Sequence, residues 1–353
     1  MAKALNRQTI AFRVDAEAET GFGHLKRCLV LARALQNRAR VMFLSRHHDQ
    51  AAALLNEARF EVETVPPQHL AQKLRETIAT AGMEMLVIDL KQEVNRNDIE
   101  SLRKMGVTTV LLDNAGDGRH NADVVIYPAA HVDAQLFAEI SGKLYFGWEY
   151  AIIDNRFFGP RKTDENRLNI LVSMGGSDVN DATSKALAAL KQIDRNFQCT
   201  VVVGPGFRTR HFDCNDGRFI FKHNVSDLSE LMLSSDMGVI LFGGTAYEAA
   251  AAGLPCAILA DPHNLQALKR FSQFETCLNL GNTQEAPTQH IVKNVQTLIA
   301  YKSLRKRLSK NGRSHAVPGG AERIAEILLI PLREGVPAEL SRNAPSARRP
   351  SRR

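Results

Sequence analysis

Short apolar runs alternate with segments of helical periodicity along most of the chain. TIAFRV precedes HLKRCLVLARAL, ARVMFL precedes DQAAALLNEA, and MEMLVIDL precedes DIESLRKM, after which VTTVLLD ends a first series. An apolar run without polar alternation marks a strand covered on both faces, and strands separated by amphipathic helices form βαβ units around a parallel sheet. The stretch YFGWEYAIIDNRFFGPRKTDENR breaks the pattern with aromatic residues and then a polar segment. A second series follows, from LNILVSM with DATSKALAALKQI to MGVILF with TAYEAAAA and CAILAD with LQALKRFSQF. The pattern predicts an α/β protein of two Rossmann-like domains, with a ligand cleft between them at the carboxyl ends of the strands. The boundary is placed at 156, giving 1–155 and 156–332, with 333–353 as a tail.

Composition refines this picture only at the end of the chain. Of a net charge of +7, the segment from Arg333 onward supplies +4, from six Arg and two Glu. Its Pro, Ser and Ala content and lack of apolar periodicity predict a disordered basic tail. The remaining body is too mildly charged to suggest a nucleic-acid partner, and the basic helix YKSLRKRLSKNGR lacks the aromatic interleaving that stacks on bases. That helix is compatible with peripheral contact to an anionic membrane surface. Five scattered cysteines without C-x-x-C spacing fit a reducing compartment. No run approaches the ~20 apolar residues of a membrane span, and the N-terminal residues lack a secretory h-region. A cytoplasmic location is therefore expected.

Three glycine-bearing strand-to-helix turns carry the candidate chemistry. In FRVDAEAETGFGHLKRC, Gly21 and Gly23 precede a helix that starts near His24, with Arg13, Asp15, Lys26 and Arg27 close by. A helix start offers unpaired N–H groups and a positive dipole end to an anion or a sugar oxygen. Lys26 stands where the dinucleotide motif needs its third glycine, so a nicotinamide cofactor is not expected. In LVSMGGSDV, Gly175, Gly176 and Ser177 offer backbone N–H groups, and Asp178 is placed to cap the helix. In LFGGTAYEAAAAGLP, Gly243, Gly244 and Thr245 suit a diphosphate. Glu248, one turn into that helix, suits ribose hydroxyls or merely complements the dipole. No D-x-D triplet and no zinc-ligand spacing occurs, so neither metal nor cofactor is expected.

Taken together, FRVDA, GFGHLKRCLVLA, GWEYAIIDNRF, MGGSD and GGTAYEAAAAGLP resemble the GT-B-fold group that holds the UDP-sugar hydrolase of pseudaminic acid biosynthesis and the spore-coat polysaccharide proteins. The likeness runs from about Gln8 to Leu329, and its most specific piece is G-x-G-H-x-x-R, met by Gly21, Gly23, His24 and Arg27. The resemblance implies hydrolysis of UDP-2,4-diacetamido-2,4,6-trideoxy-β-L-altropyranose, with His24 drawing a proton from water and UDP leaving. An imidazole suits that task because its class titrates near neutrality. The resemblance places Arg13, Asp15, Gly21, Gly23, Arg27, Asp89 and Asn264 on the sugar side, with Asp15 either orienting His24 or binding a sugar hydroxyl or amide. It assigns Gly175, Gly176, Ser177, Gly243, Gly244, Thr245 and Glu248 to the nucleotide.

Two departures fall on that sugar side. The group's Asp-His-Tyr-type stretch is replaced by Asp89-Leu90-Lys91, and its Asn-Gln pair by Asn264-Leu265. Asp113, in LLDNAGDG, is a further cleft candidate, although Asp, Asn and Gly also build plain turns. The same histidine would serve a glycosyltransferase acting on a hydroxyl acceptor, and a non-catalytic nucleotide-sugar binding module is the third alternative. Trp148 and Tyr150 are expected to pack the domain crossover.

Overall fold

The computed structural model describes residues 7–16, 22–65, 70–163, 167–207, 212 and 215–330. The expected basic tail and Gly21 lie outside these residues. The first half runs β1 (Thr9–Val14), α1 (Gly23–Leu35), β2 (Arg40–Ser45), α2 (Asp49–Glu57), β3 (Glu61–Thr64), α3 (Leu70–Ala81), β4 (Met83–Asp89), α4 (Arg96–Lys104), β5 (Thr108–Leu112), β6 (Val124–Tyr127) and β7 (Lys143–Phe146). Its seven strands lie side by side in the order β3-β2-β1-β4-β5-β6-β7, all parallel. The central strands β1, β5 and β6 are buried at every position, as a sheet covered on both faces requires.

The second half runs β8 (Leu168–Ser173), α5 (Ala182–Lys191), β9 (Phe197–Val203), β10 (Phe219–His223), α6 (Leu228–Ser234), β11 (Met237–Leu241), α7 (Gly244–Ala252), β12 (Cys256–Ala260), α8 (Leu265–Ser272) and β13 (Cys277–Asn282), then α9 (Thr288–Ala300), α10 (Lys302–His315) and α11 (Gly320–Leu329). Its sheet order, β10-β9-β8-β11-β12-β13, repeats the logic of the first. In each sheet the chain reverses direction of travel beside the first strand, between β1 and β4 and between β8 and β11. Crevices open at such switch points, at the carboxyl ends of the strands, so the topology alone selects the loops after β1, β4, β8 and β11.

Two features tie the halves together. Trp148 packs among Tyr247, Phe271, Phe274 and His315, with ring centroids 4.7–5.6 Å away. The expected packing role of Trp148 is thus what the structure shows. Helix α11 follows the second sheet in the chain yet buries Ala321, Ile324, Ala325 and Leu328 in the core beneath α1.

Candidate active site

Helix α1 starts without a side-chain cap: Phe22 holds the N-cap position and its side chain makes no capping bond. The first turn projects His24 and Arg27 onto one face, three residues apart. That face meets the ends of β4 and β5. His24 Nδ1 lies 2.6 Å from Asp89 Oδ1. Arg27 donates from Nε to Asp89 Oδ2 at 2.6 Å, from NH2 to Asp89 Oδ1 at 2.5 Å, and from NH1 to Asp113 Oδ2 at 2.8 Å. Cys28 adds its thiol to Asp89 Oδ2 at 3.3 Å.

Asp89 is fully buried, and burial by itself raises a carboxyl pKa. The Arg27 guanidinium and the His24 hydrogen bond outweigh that effect and hold Asp89 well below the ordinary carboxylate range. Burial likewise disfavours the charge on Arg27, but Asp89 and Asp113 keep it protonated. Burial and the Asp89 charge push the Cys28 thiol up, so it remains a thiol. An ionised carboxylate only accepts, so the proton of the His24–Asp89 bond sits on Nδ1. In the neutral imidazole the lone pair is then on Nε2, which makes no hydrogen bond among the described residues, while the side chain is 26% exposed.

The structure redistributes several residues assigned to the sugar by resemblance. Asp89 has both oxygens committed to His24, Arg27 and Cys28 and is closed to solvent, so it orients the histidine rather than touching a ligand. Arg13 and Asp15 form a two-point pair of their own at 2.5 and 2.8 Å, and Arg46 donates its backbone N–H to Asp15. Asp15 is held low in pKa: burial raises it, but Arg13 and Arg46 prevail. Asp15 therefore does not orient His24; the buried end of β4 does. Asn264 stands at the start of α8, beyond the carboxyl end of β12, with no side-chain cap bond. Gly23, the first residue of α1, has open space where a Cβ would stand.

The nucleotide-side turns differ from each other. At the start of α5, Asp178 accepts from the backbone N–H groups of Ala182 at 2.7 Å and Thr183 at 3.0 Å, so the helix fills its own anion site. Gly175 there takes a left-handed φ of +80°, and Gly176 faces Phe22 of the first half, 3.5 Å from the position of a Cβ. Helix α7 is the open one. It has no side-chain cap, and Cβ atoms at Gly243 and Gly244 would meet nothing within 4 Å. Glu248 lies partly buried in this helix, and burial pushes its carboxyl up to about 7 while Lys26 of α1 pulls the other way. That attraction spans the two halves. Among the described residues no group of three or more His, Cys, Asp or Glu side chains is arranged to hold a metal ion.

Two residues that join the halves, Tyr247 and His131, escaped the sequence reasoning. Tyr247, next to Glu248, accepts the N–H of Ala130 at 2.9 Å and lies 2.8 Å from His131 Nδ1. Alternation places Tyr247 on the buried side of α7, but nothing in the sequence names its partner 116 residues away.

No family model matches the chain. An uncharacterized protein of Methanocaldococcus jannaschii is 28% identical over 276 residues, which is 71% of this chain and 55% of that protein, so the match spans about half of that relative's length. The spore coat polysaccharide biosynthesis protein SpsG of Bacillus subtilis is 24% identical over 330 residues, covering 89% of this chain and 96% of that one. The UDP-2,4-diacetamido-2,4,6-trideoxy-beta-L-altropyranose hydrolase of Campylobacter jejuni is 25% identical over 186 residues, 51% of this chain and 65% of that one. Among solved structures, the spinosyn rhamnosyltransferase SpnG complexed with thymidine diphosphate superposes with a TM-score of 0.67 at 11% identity, covering 91% of this chain and all of that one. MurG of Acinetobacter baumannii gives 0.62 at 15% identity, over 91% and 99% of the two chains. HepE of Anabaena in complex with UDP-glucose gives 0.64 at 12% identity, again over 91% and 99%. The fold is the α/β, GT-B-like pair of Rossmann-like units expected from the alternation of strands and helices.

Proposed function

We propose that this chain hydrolyses a nucleotide sugar, releasing UDP and the free sugar. The observation that carries the proposal is the His24–Asp89 hydrogen bond, which engages Nδ1 and leaves Nε2 of a partly exposed imidazole without a hydrogen bond among the described residues at the switch point. In the step we envisage, a water oxygen attacks the anomeric carbon and its proton passes to Nε2. The bond from that carbon to the diphosphate oxygen breaks, and its electron pair leaves with UDP. The uncapped N-terminus of α7 and the cation of Lys26 meet the charge that develops there. Glu248 accepts the ribose hydroxyls, and Gly175, Gly176 and Ser177 line the opposite wall.

The name of the Campylobacter relative supports a diacetamido-trideoxy sugar and the hydrolytic outcome, and that of the Bacillus relative supports a place in surface-polysaccharide synthesis. A transferase would use the same base on a hydroxyl acceptor. The test is UDP release from a panel of UDP-sugars with no acceptor added, the sugar product being identified by mass. Release of free sugar supports hydrolysis. Saturable UDP binding without release, restored by an added glycan or protein acceptor, would replace it with transfer.

A further inference from the structure

We infer that Asp113 is the side chain that reads the sugar ring in this cleft, accepting hydrogen bonds from hydroxyl or amide donors; the inference rests on the nucleotide-sugar reading above. Asp113 follows β5 directly, at the carboxyl edge of the first sheet. Its backbone is left-handed, with φ 54°. A residue with a Cβ adopts that conformation at a cost, and such strain gathers at functional sites. The position is not slack: the Asp113 N–H donates to Ile126 O of the neighbouring strand β6 at 2.8 Å.

The carboxylate is divided between two tasks. Oδ2 accepts from Arg27, whereas Oδ1 has no partner among the described residues, and the side chain is 33% exposed. Asp89, bound to the same guanidinium, shows no surface and has no oxygen to spare. One carboxylate therefore belongs to the interior of the machinery and the other presents an oxygen to the cleft. Arg27 NH2 is also 3.1 Å from His24 Nδ1, so a single guanidinium separates Asp113 from the base. Through that shared guanidinium the unpartnered Oδ1 of Asp113 belongs to the same site as the base. Its negative charge rejects the diphosphate and selects O–H and N–H donors. The charge of Asp113 is also felt by Tyr127, by His131 and, from the second half, by Tyr247.

The test measures the affinity of the full chain for UDP, UDP-glucose, UDP-N-acetylglucosamine and the UDP-diacetamido-trideoxy-altropyranose, in the parent, Asp113→Asn and Asp113→Gly. Asn tolerates the left-handed backbone and Gly prefers it, so neither variant strains this turn, and a cooperative melting transition in each confirms the fold before affinities are compared. The inference predicts UDP affinity within about twofold throughout, while the spread between the best and worst UDP-sugar falls at least tenfold in both variants. A retained spread, or a parallel fall in UDP affinity, overturns it. So does an altered pH profile of turnover with unchanged sugar preference, which would make Asp113 only a partner of Arg27. A parent that binds UDP but prefers no sugar overturns this inference alone; a parent that binds none of the four overturns the proposed function with it.

Discussion

His24 Nδ1, in the first turn of α1, sits 2.6 Å from Oδ1 of Asp89, the last residue of β4 and 65 positions further along the chain. The contact fixes a tautomer as well as a ring. Without it, Nδ1 would be free to exchange roles with Nε2, and a share of the neutral rings would carry the proton on Nε2 instead of a lone pair.

Asp89→Asn should therefore lower turnover by about 10²–10⁴-fold, because an amide can donate to Nδ1 and reverse the tautomer. Nucleotide affinity should stay within about twofold. The variant also leaves Arg27 short of a buried counter-charge and should be less stable at neutral pH by about 3 kcal/mol. The folded-state pKa of Asp89 lies below its unfolded value, so its contribution is present above the unfolded value of 3.8 and is lost as pH falls toward the folded one. Urea denaturation from pH 7 to 3 should show the parent losing its advantage over Asp89→Asn only at the acid end.

Glu248 runs the other way. Burial raises its carboxyl from 4.5 to about 7, so its favourable contribution is complete below the unfolded value and disappears as pH rises through about 7. Glu248→Gln should match the parent near pH 4.5 and exceed it by about 1–3 kcal/mol at pH 8. If the carboxylate holds the ribose, the same variant should weaken UDP binding about tenfold or more, measured by titration calorimetry.

Gly244→Ala separates room for a ligand from the needs of the fold. A Cβ there meets nothing within 4 Å, and alanine is the better helix former by about 0.5–1 kcal/mol. The melting temperature should hold or rise, whereas UDP affinity should fall at least tenfold if the diphosphate lies against this turn.

Tyr247→Phe removes the hydroxyl that takes the Ala130 N–H and meets His131. A buried donor left without a partner costs about 1–3 kcal/mol, so the variant should unfold at correspondingly lower denaturant. The hydroxyl ties α7 of the second half to the chain after β6 of the first, and KM for the nucleotide sugar should rise more than kcat falls.

Much of the fold was legible because its strands are short, continuous apolar runs and its helices carry an apolar stripe. Two parallel sheets follow from that alternation with little freedom. His24 was legible from its setting, since a glycine turn feeding a helix is a local pattern. Its partner was not. Asp89 ends an apolar strand in MEMLVIDL, and a carboxylate at a strand end reads equally as a ligand contact or a buried hinge of the site. Only the sheet order, which sets β4 beside β1, decides between them. The same holds for Asp15, whose nearness to His24 in sequence is overruled by Arg13 two residues away on the same strand end. The return of α11 to the first core was equally hidden, because an amphipathic stripe states that a helix must pack without stating where.

The measurement that bears most directly on the central claim is UDP release from the diacetamido-trideoxy UDP-sugar, without acceptor, by the parent and by His24→Ala, each with its UDP affinity. The account predicts free sugar from the parent, a loss of about 10³-fold in the variant, and UDP affinity unchanged within about twofold. Equal turnover in the two proteins, or a parallel loss of turnover and UDP binding, would contradict His24 as the base.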